Sequence, residues 1–339
     1  MEEVEEEQRN ELGGIIMSGF TERENFQMIL DGKIPEWLPD YSNAVGGGSS
    51  IYTGRKTLEN GHTIDIFGVE NHSTVDGPIP INTIDGSFLL TDVTKWRDVM
   101  PKIDLDLNNW EDDAATVNAR FDRNEKFAGY MFGGMWEAMH NIMGFENALA
   151  SLALEPEATN EFLNALADFW IDVMHRYGKY YKIEIVTTME HIATHQGLMM
   201  SPETYRSVIK PVHVKVYKAI QEMGAVPQMH VDGYIEDVIP DYAEMGVRMI
   251  QPFQVFNDIN KYKEMYNIVA VGGWDAFGRG NQPDSTEEDT RASVRLALDT
   301  YGPGGRYAFW NSGATPRYPD RLRWISEEVN SYGKTFYKK

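Results

Sequence analysis

From Lys126 onward the apolar positions switch between two periods. Phe127 to Phe132 is a short apolar run that stops at Gly133-Gly134, the pattern of a buried strand. Residues 145–154 and 156–177 follow a helical rhythm. In the second, Leu163, Leu166, Phe169, Trp170, Val173 and Met174 make one apolar face. Residues 181–187 are β-branched and strand-like. Ser201-Pro202-Glu203 opens a long helix, with Ser as cap, Pro in the first turn and Glu set against the helix dipole. Its buried stripe runs from Tyr205 through Val212, Val216 and Ile220 to a Gly224 cap, and Pro211 inside it predicts a kink.

Strands at 226–231, 247–251, 268–271 and 306–310 then alternate with helices at 235–245, 258–266, 286–301 and 319–332. The first three of these strands start about 21 residues apart, the spacing of successive β/α units. Before residue 126 the pattern is weaker. It predicts helices at 21–30, 92–100 and 110–121, a strand at 63–69, and a flexible loop at Gly46-Gly47-Gly48. No Lys-Ser/Thr follows that triplet, so it is not a phosphate loop. No Pro-, Gly- or Ser-rich linker divides the chain. The expected architecture is an α/β (β/α)8 TIM barrel with N-terminal helical additions over residues 21–339, preceded by an acidic segment at 1–20.

Composition narrows the function. The 339 residues are 42% hydrophobic, enough for a large core. Thirty-one basic against 52 acidic residues give a net charge of −21, which repels phosphate backbones and argues against nucleic-acid binding. There is no cysteine, so disulfides and thiolate metal sites are excluded. No stretch is long and apolar enough for a membrane span, and the Glu-rich start lacks the basic and apolar regions of a secretory signal. A cytoplasmic protein is expected, with homo-oligomerisation left open.

In a barrel of this kind chemistry gathers at the C-terminal ends of the strands. His230 and Asp232 lie two apart there, so an imidazole and a carboxylate project to one side, able to hold a metal or move a proton. Asp232 could instead cap the helix that follows. Glu137, Glu190, His191, Gln251, Phe253, Trp274, Asp275 and Asn311 follow other strands. His191 and His195 would chelate together on a helix, but Gly197 and Ser201-Pro202 point to a loop.

These pieces resemble the uroporphyrinogen decarboxylase superfamily. The likeness runs over residues 20–335 and is carried by Thr21 to Phe26, Pro35-Glu36-Trp37, Ser201-Pro202-Glu203, Gly304-Gly305-Arg306-Tyr307 and Asn311-Ser312-Gly313. His230-x-Asp232-Gly233 is similar to the family's His-x-Cys-Gly, and Gly272-Gly273-Trp274-Asp275 to its Gly-Gly-Ile-Asp. The haem-pathway branch carries an Arg-rich N-terminal segment, whereas Pro39 to Ala44 here holds no Arg. The other branch contains corrinoid-dependent methyltransferases whose His-x-Cys and later Cys bind zinc. This chain has Asp232 in place of the first Cys and Gly313-Ala314 near the second.

The resemblance implies a methyltransferase that takes a methyl group from an O-methyl substrate, such as a phenyl methyl ether, to cob(I)alamin on a corrinoid protein. Zinc would be held by His230, Asp232 and Glu190, the three catalytic residues. Gln251, Asp275, Asn311 and His191 would contact substrate, and Phe253 and Trp274 would wall its ring. Nitrogen and oxygen ligands leave more charge on zinc than thiolates, which suits polarising an ether oxygen. The alternative is a metal-independent decarboxylase in which His230 and Asp232 act as an acid–base pair.

Overall fold

Seven parallel strands form the central sheet: β1 (Val45–Ser49), β2 (Phe127–Phe132), β3 (Ile185–Met189), β4 (Val226–His230), β5 (Met249–Phe253), β6 (Val269–Gly273) and β7 (Tyr307–Trp310). Their order in the sheet is their order in the chain. The computed structural model describes residues 19–74, 77–100, 102–314 and 317–338, so the acidic run at 1–11 lies outside the described residues. Between β7 and β1 the backbone N–H of Phe309 donates to Pro39 O at 2.8 Å, and Asp40 makes a one-residue parallel bridge to Phe309. Asp40 then caps the short helix Tyr41–Ala44, which runs straight into β1. The curled sheet is TIM-barrel-like, with a single bridge where an eighth strand would stand.

The lower mouth is plugged. Thr21 and Glu24 form a capping box that starts α1 (Glu22–Leu30). Its Phe26, Ile29 and Leu30 pack with Phe127, Ile185, Met249, Val269, Val271 and Ala308, which lie in the lower halves of five strands. Arg23 fixes the plug by a two-pronged ion pair to Glu184, at 2.5 and 2.9 Å, just before β3. Further helices are α2 (Met135–Met143), α3 (Pro156–Arg176), α4 (Lys210–Glu222), α5 (Ile239–Glu244), α6 (Ile259–Tyr266), α7 (Glu287–Tyr301) and α8 (Pro319–Thr335), besides Trp110–Asn118 and Phe145–Leu154. A small antiparallel sheet, Lys56–Thr57, Thr63–Ile64, Glu70–Thr74 and Gly77–Pro80, is added after β1. No helix among the described residues is long and apolar enough to cross a membrane.

Three expectations are corrected. Gly46-Gly47-Gly48 is not a loop but the middle of β1. A Cβ at Gly47 would lie 2.1 Å from Gly129 O, so the β1 and β2 backbones approach where only glycine fits. The strand expected at 63–69 breaks at Asp65, whose carboxylate accepts from the N–H of Phe67 and of Val69, both at 2.9 Å, and makes a turn. The helix expected at 235–245 forms only over Ile239–Glu244. The kink expected at Pro211 takes the form of a π-helical turn, Tyr205–Ile209, directly before α4.

Phe26 is fully buried at the base of the barrel. Phe26→Ala should lower the unfolding free energy by about 3–5 kcal/mol, read from urea denaturation, because the plug cannot collapse into the space left. A loss under about 1 kcal/mol would show that α1 does not close the barrel.

Candidate metal centre

Strands β3 and β4 end level, and β5 runs two residues further. Met189 pairs with His230, and His230 with Gln251. The ladder continues past the strands, with Glu190 N donating to His230 O at 2.8 Å and Val231 N to Gln251 O at 2.9 Å. Alternation then sorts the side chains. Met229 points outward, where Tyr217 Oη reaches its sulfur at 3.4 Å. Gln228 and His230 therefore point into the barrel, and Gln228 Nε2 donates to Gln251 Oε1 at 2.9 Å.

At this level three side chains converge. Asp232 Oδ2 is 3.0 Å from His191 Nε2 and 3.9 Å from His230 Nε2. The two rings stand nearly perpendicular, 5.6 Å apart. One donor atom from each of His191, His230 and Asp232 lies within 4.8 Å of the others, a spacing that a single metal ion can bridge. All three residues are half-buried.

Each is held by a partner behind it. Glu137 Oε2 accepts from His191 Nδ1 at 2.8 Å, and the same oxygen is 3.0 Å from His140 Nε2. Gln251 Oε1 lies 3.3 Å from His230 Nδ1. Gln254 Nε2 donates to Asp232 Oδ1 at 2.7 Å, which leaves Oδ2 for the centre. Both imidazoles are thus bound through Nδ1 and present Nε2 inward, the arrangement that orients histidine ligands. Asp232 does not cap a helix; its carboxylate is committed to Gln254 and His191.

Glu190 is placed elsewhere. Its carboxylate is fully buried and accepts from the N–H groups of Met135, at 2.8 Å, and Trp136, at 3.0 Å, at the start of α2. It satisfies a helix N-terminus rather than facing His230. Gly134 makes this possible: a Cβ there would fall 1.6 Å from Met189 O and 2.7 Å from the Glu190 carboxyl carbon. The next residue, His191, turns the other way, into the centre, and Trp136 Nε1 donates to its carbonyl at 3.1 Å.

Electrostatics follow from these contacts. Burial opposes charge on His191, but hydrogen bonds to Asp232 and Glu137, with their negative charge, raise its pKa to about 10. Burial dominates at His230 and lowers its pKa. Burial raises the Glu137 carboxyl, yet the His140 and His191 hydrogen bonds outweigh it and hold it well below the carboxylate range. Asp232 is likewise pushed up by burial and pulled below its usual value, chiefly by His191.

The remaining expected residues divide. Gln251 supports His230, and Asn311 follows Trp310 at the end of β7, half-buried. Phe253 is fully buried in the main core, where with Trp274, Phe256 and Ser312 it lines a small pocket beside β5 and β6. Trp274 turns to α7, where its Nε1 donates to Ser293 Oγ at 2.9 Å. Asp275 is exposed and accepts from Phe277 N at 3.0 Å, next to a separate surface pocket with Arg279 and Leu296. His195 lies on an exposed hairpin turn, 6.1 Å from the Phe256 ring. Sequence reasoning missed the supporting roles of Glu137, His140 and Gln254. The i,i+3 spacing of Glu137 and His140 on a helix was the signal for the first two.

Fold and site together define a TIM-barrel-like protein with a His-His-carboxylate cluster at its strand ends. The family model for uroporphyrinogen decarboxylase matches residues 116–305, more than half of the chain, and the protein belongs to that family. Among solved structures it is similar to a methyltransferase from Methanosarcina mazei, with 13% identity over 92% of this chain and 99% of that one and a TM-score of 0.61, a likeness of fold. No curated protein sequence matches it.

His191 has its folded pKa raised from 6.5 to about 10, so its contribution to stability is complete below about 6.5 and is lost as pH climbs through 10. In metal-free protein its ring should stay protonated at pH 8 while the His230 ring is neutral, as read by imidazole 15N chemical shifts. Titration of His191 near 6.5 would contradict the bridging geometry.

Proposed function

We propose that this protein is a corrinoid-dependent methyltransferase. It moves a methyl group from an O-methyl substrate, by preference a phenyl methyl ether, to the cob(I)alamin of a separate corrinoid protein, with zinc held by His191, His230 and Asp232. Family membership and a fold shared with a methyltransferase support methyl transfer. The observation that carries the reading is the donor set: two imidazole nitrogens and one carboxylate oxygen meet at one point, each fixed by a partner of its own.

That set fits zinc, which takes nitrogen and oxygen ligands and keeps a position open in catalytic sites. His191 takes the ligand place expected of Glu190. Bound zinc would supply Lewis acidity toward an ether oxygen. The protein's own groups do the positioning. Glu137 holds His191 with Nε2 inward, Gln251 does the same for His230, and Gln254 occupies one oxygen of Asp232 so that the other faces the centre. Metal entry must displace the proton shared by His191 and its carboxylates, so affinity falls with falling pH.

One observation favours a second reading. His191 lies between Glu137 and Asp232, whose hydrogen bonds raise its pKa, and such a positioned acid is what a metal-independent decarboxylase would use. Such an enzyme turns over in chelator-treated protein with no corrinoid partner.

Purified protein should carry about one zinc ion per chain and methylate cob(I)alamin from methoxybenzenes. His230→Ala and Asp232→Ala should abolish both. Glu137→Gln should weaken zinc binding by roughly 10–100-fold. Glu190→Gln should lower stability and leave zinc in place. Full zinc in His230→Ala, or undiminished activity after chelation, would overturn the proposal.

A further inference from the structure

We infer that the substrate sits in the cavity between β1, β2 and β7, and that it is an uncharged methoxy-substituted ring rather than a carboxylated one. This rests on the methyl-transfer reading and names its substrate class. The cavity is about 370 Å³, at the small end of ligand sites, which run from roughly 300 to 1,000 Å³. Tyr41 and Trp310 give it aromatic walls, Met131, Thr187 and Gln251 share the lining, and the backbone of Gly46 to Gly48 forms one side. None of these was expected at the site except Gln251.

The cavity adjoins the metal centre. Trp310 lies edge-on to the His230 ring at 6.1 Å. Gln251 lines the cavity and also touches His230 Nδ1 at 3.3 Å. Its amide oxygen is taken by Gln228 and His230, while its nitrogen makes no hydrogen bond among the described residues. A neutral oxygen on the ligand would accept from it.

Charge decides the class. No Lys, Arg or His side chain among the described residues lines the cavity. A carboxylate on the ring, away from the metal, would lose its water and find no basic side chain in the lining to pair with. A methoxy-substituted phenol meets no such penalty, and its ring matches the tyrosine and tryptophan walls.

Calorimetric titration of zinc-loaded wild-type protein with 2-methoxyphenol and with 4-methoxybenzoate tests the assignment. The phenol should bind at least roughly tenfold more tightly. Met131→Trp should abolish phenol binding while zinc content stays, because Met131 is a half-buried lining residue. Met131→Arg should reverse the preference in favour of the benzoate. Equal or tighter wild-type binding of the benzoate, or phenol binding unchanged in Met131→Trp, overturns the inference. Tight phenol binding with no methyl transfer to cob(I)alamin upholds the cavity assignment and overturns the methyl-transfer reading instead.

Discussion

A carboxylate shut away from water, Glu190, accepts both of its hydrogen bonds from the first N–H groups of α2. Hydrogen bonds to a charged group contribute about 1.5–3 kcal/mol each, and a charge left unpaired here would cost more. The contact therefore fixes two things at once. It locks the end of β3, so that the following residue, His191, must turn inward. It also sets the start of α2, which places Glu137 on the Nδ1 side of the same ring. The centre is assembled from β3 and α2 as one unit, and His230 and Asp232 then come to it from β4.

The rest of the barrel makes that unit rigid. The level register of β3, β4 and β5 puts His191, His230, Asp232 and the two glutamines at one height. Below them a polar layer, in which Gln228 bridges Tyr41 and Gln251, separates the centre from the apolar plug of α1. The cluster lies at the upper end, opposite the end that α1 fills. The absence of cysteine has a direct consequence as well: any metal site here must be built from nitrogen and oxygen, and the cluster that forms is of that kind.

Much of this was legible in the sequence. Period-two and helical patterns located β2, β4, α6, α7 and α8 within a few residues, since those elements bury one face against a common core. The His230-x-Asp232 spacing placed two groups on one side of a strand end, and they do face each other. What could not be read is direction where the chain leaves a strand. Glu190 and His191 are neighbours, and an extended chain sends neighbours to opposite sides. Which one faces inward depends on α2, more than fifty residues earlier. The orientation of Trp274 is unreadable for the same reason, because α7 supplies Ser293 as its partner. Gly46-Gly47-Gly48 was misread because a glycine run signals a loop locally, whereas here it answers a close approach of β2. The cavity walls were not legible, since Tyr41 and Trp310 meet β1 and β2 only when the sheet curls.

The central claim is that two imidazoles and one carboxylate share a single ion. X-ray absorption at the zinc edge of the loaded protein tests it most directly. The account predicts a shell of nitrogen and oxygen alone at about 2.0–2.1 Å, with outer scattering from two imidazoles that falls to one in His191→Ala. A shell with no imidazole scattering, or two imidazoles still present after that substitution, would contradict it.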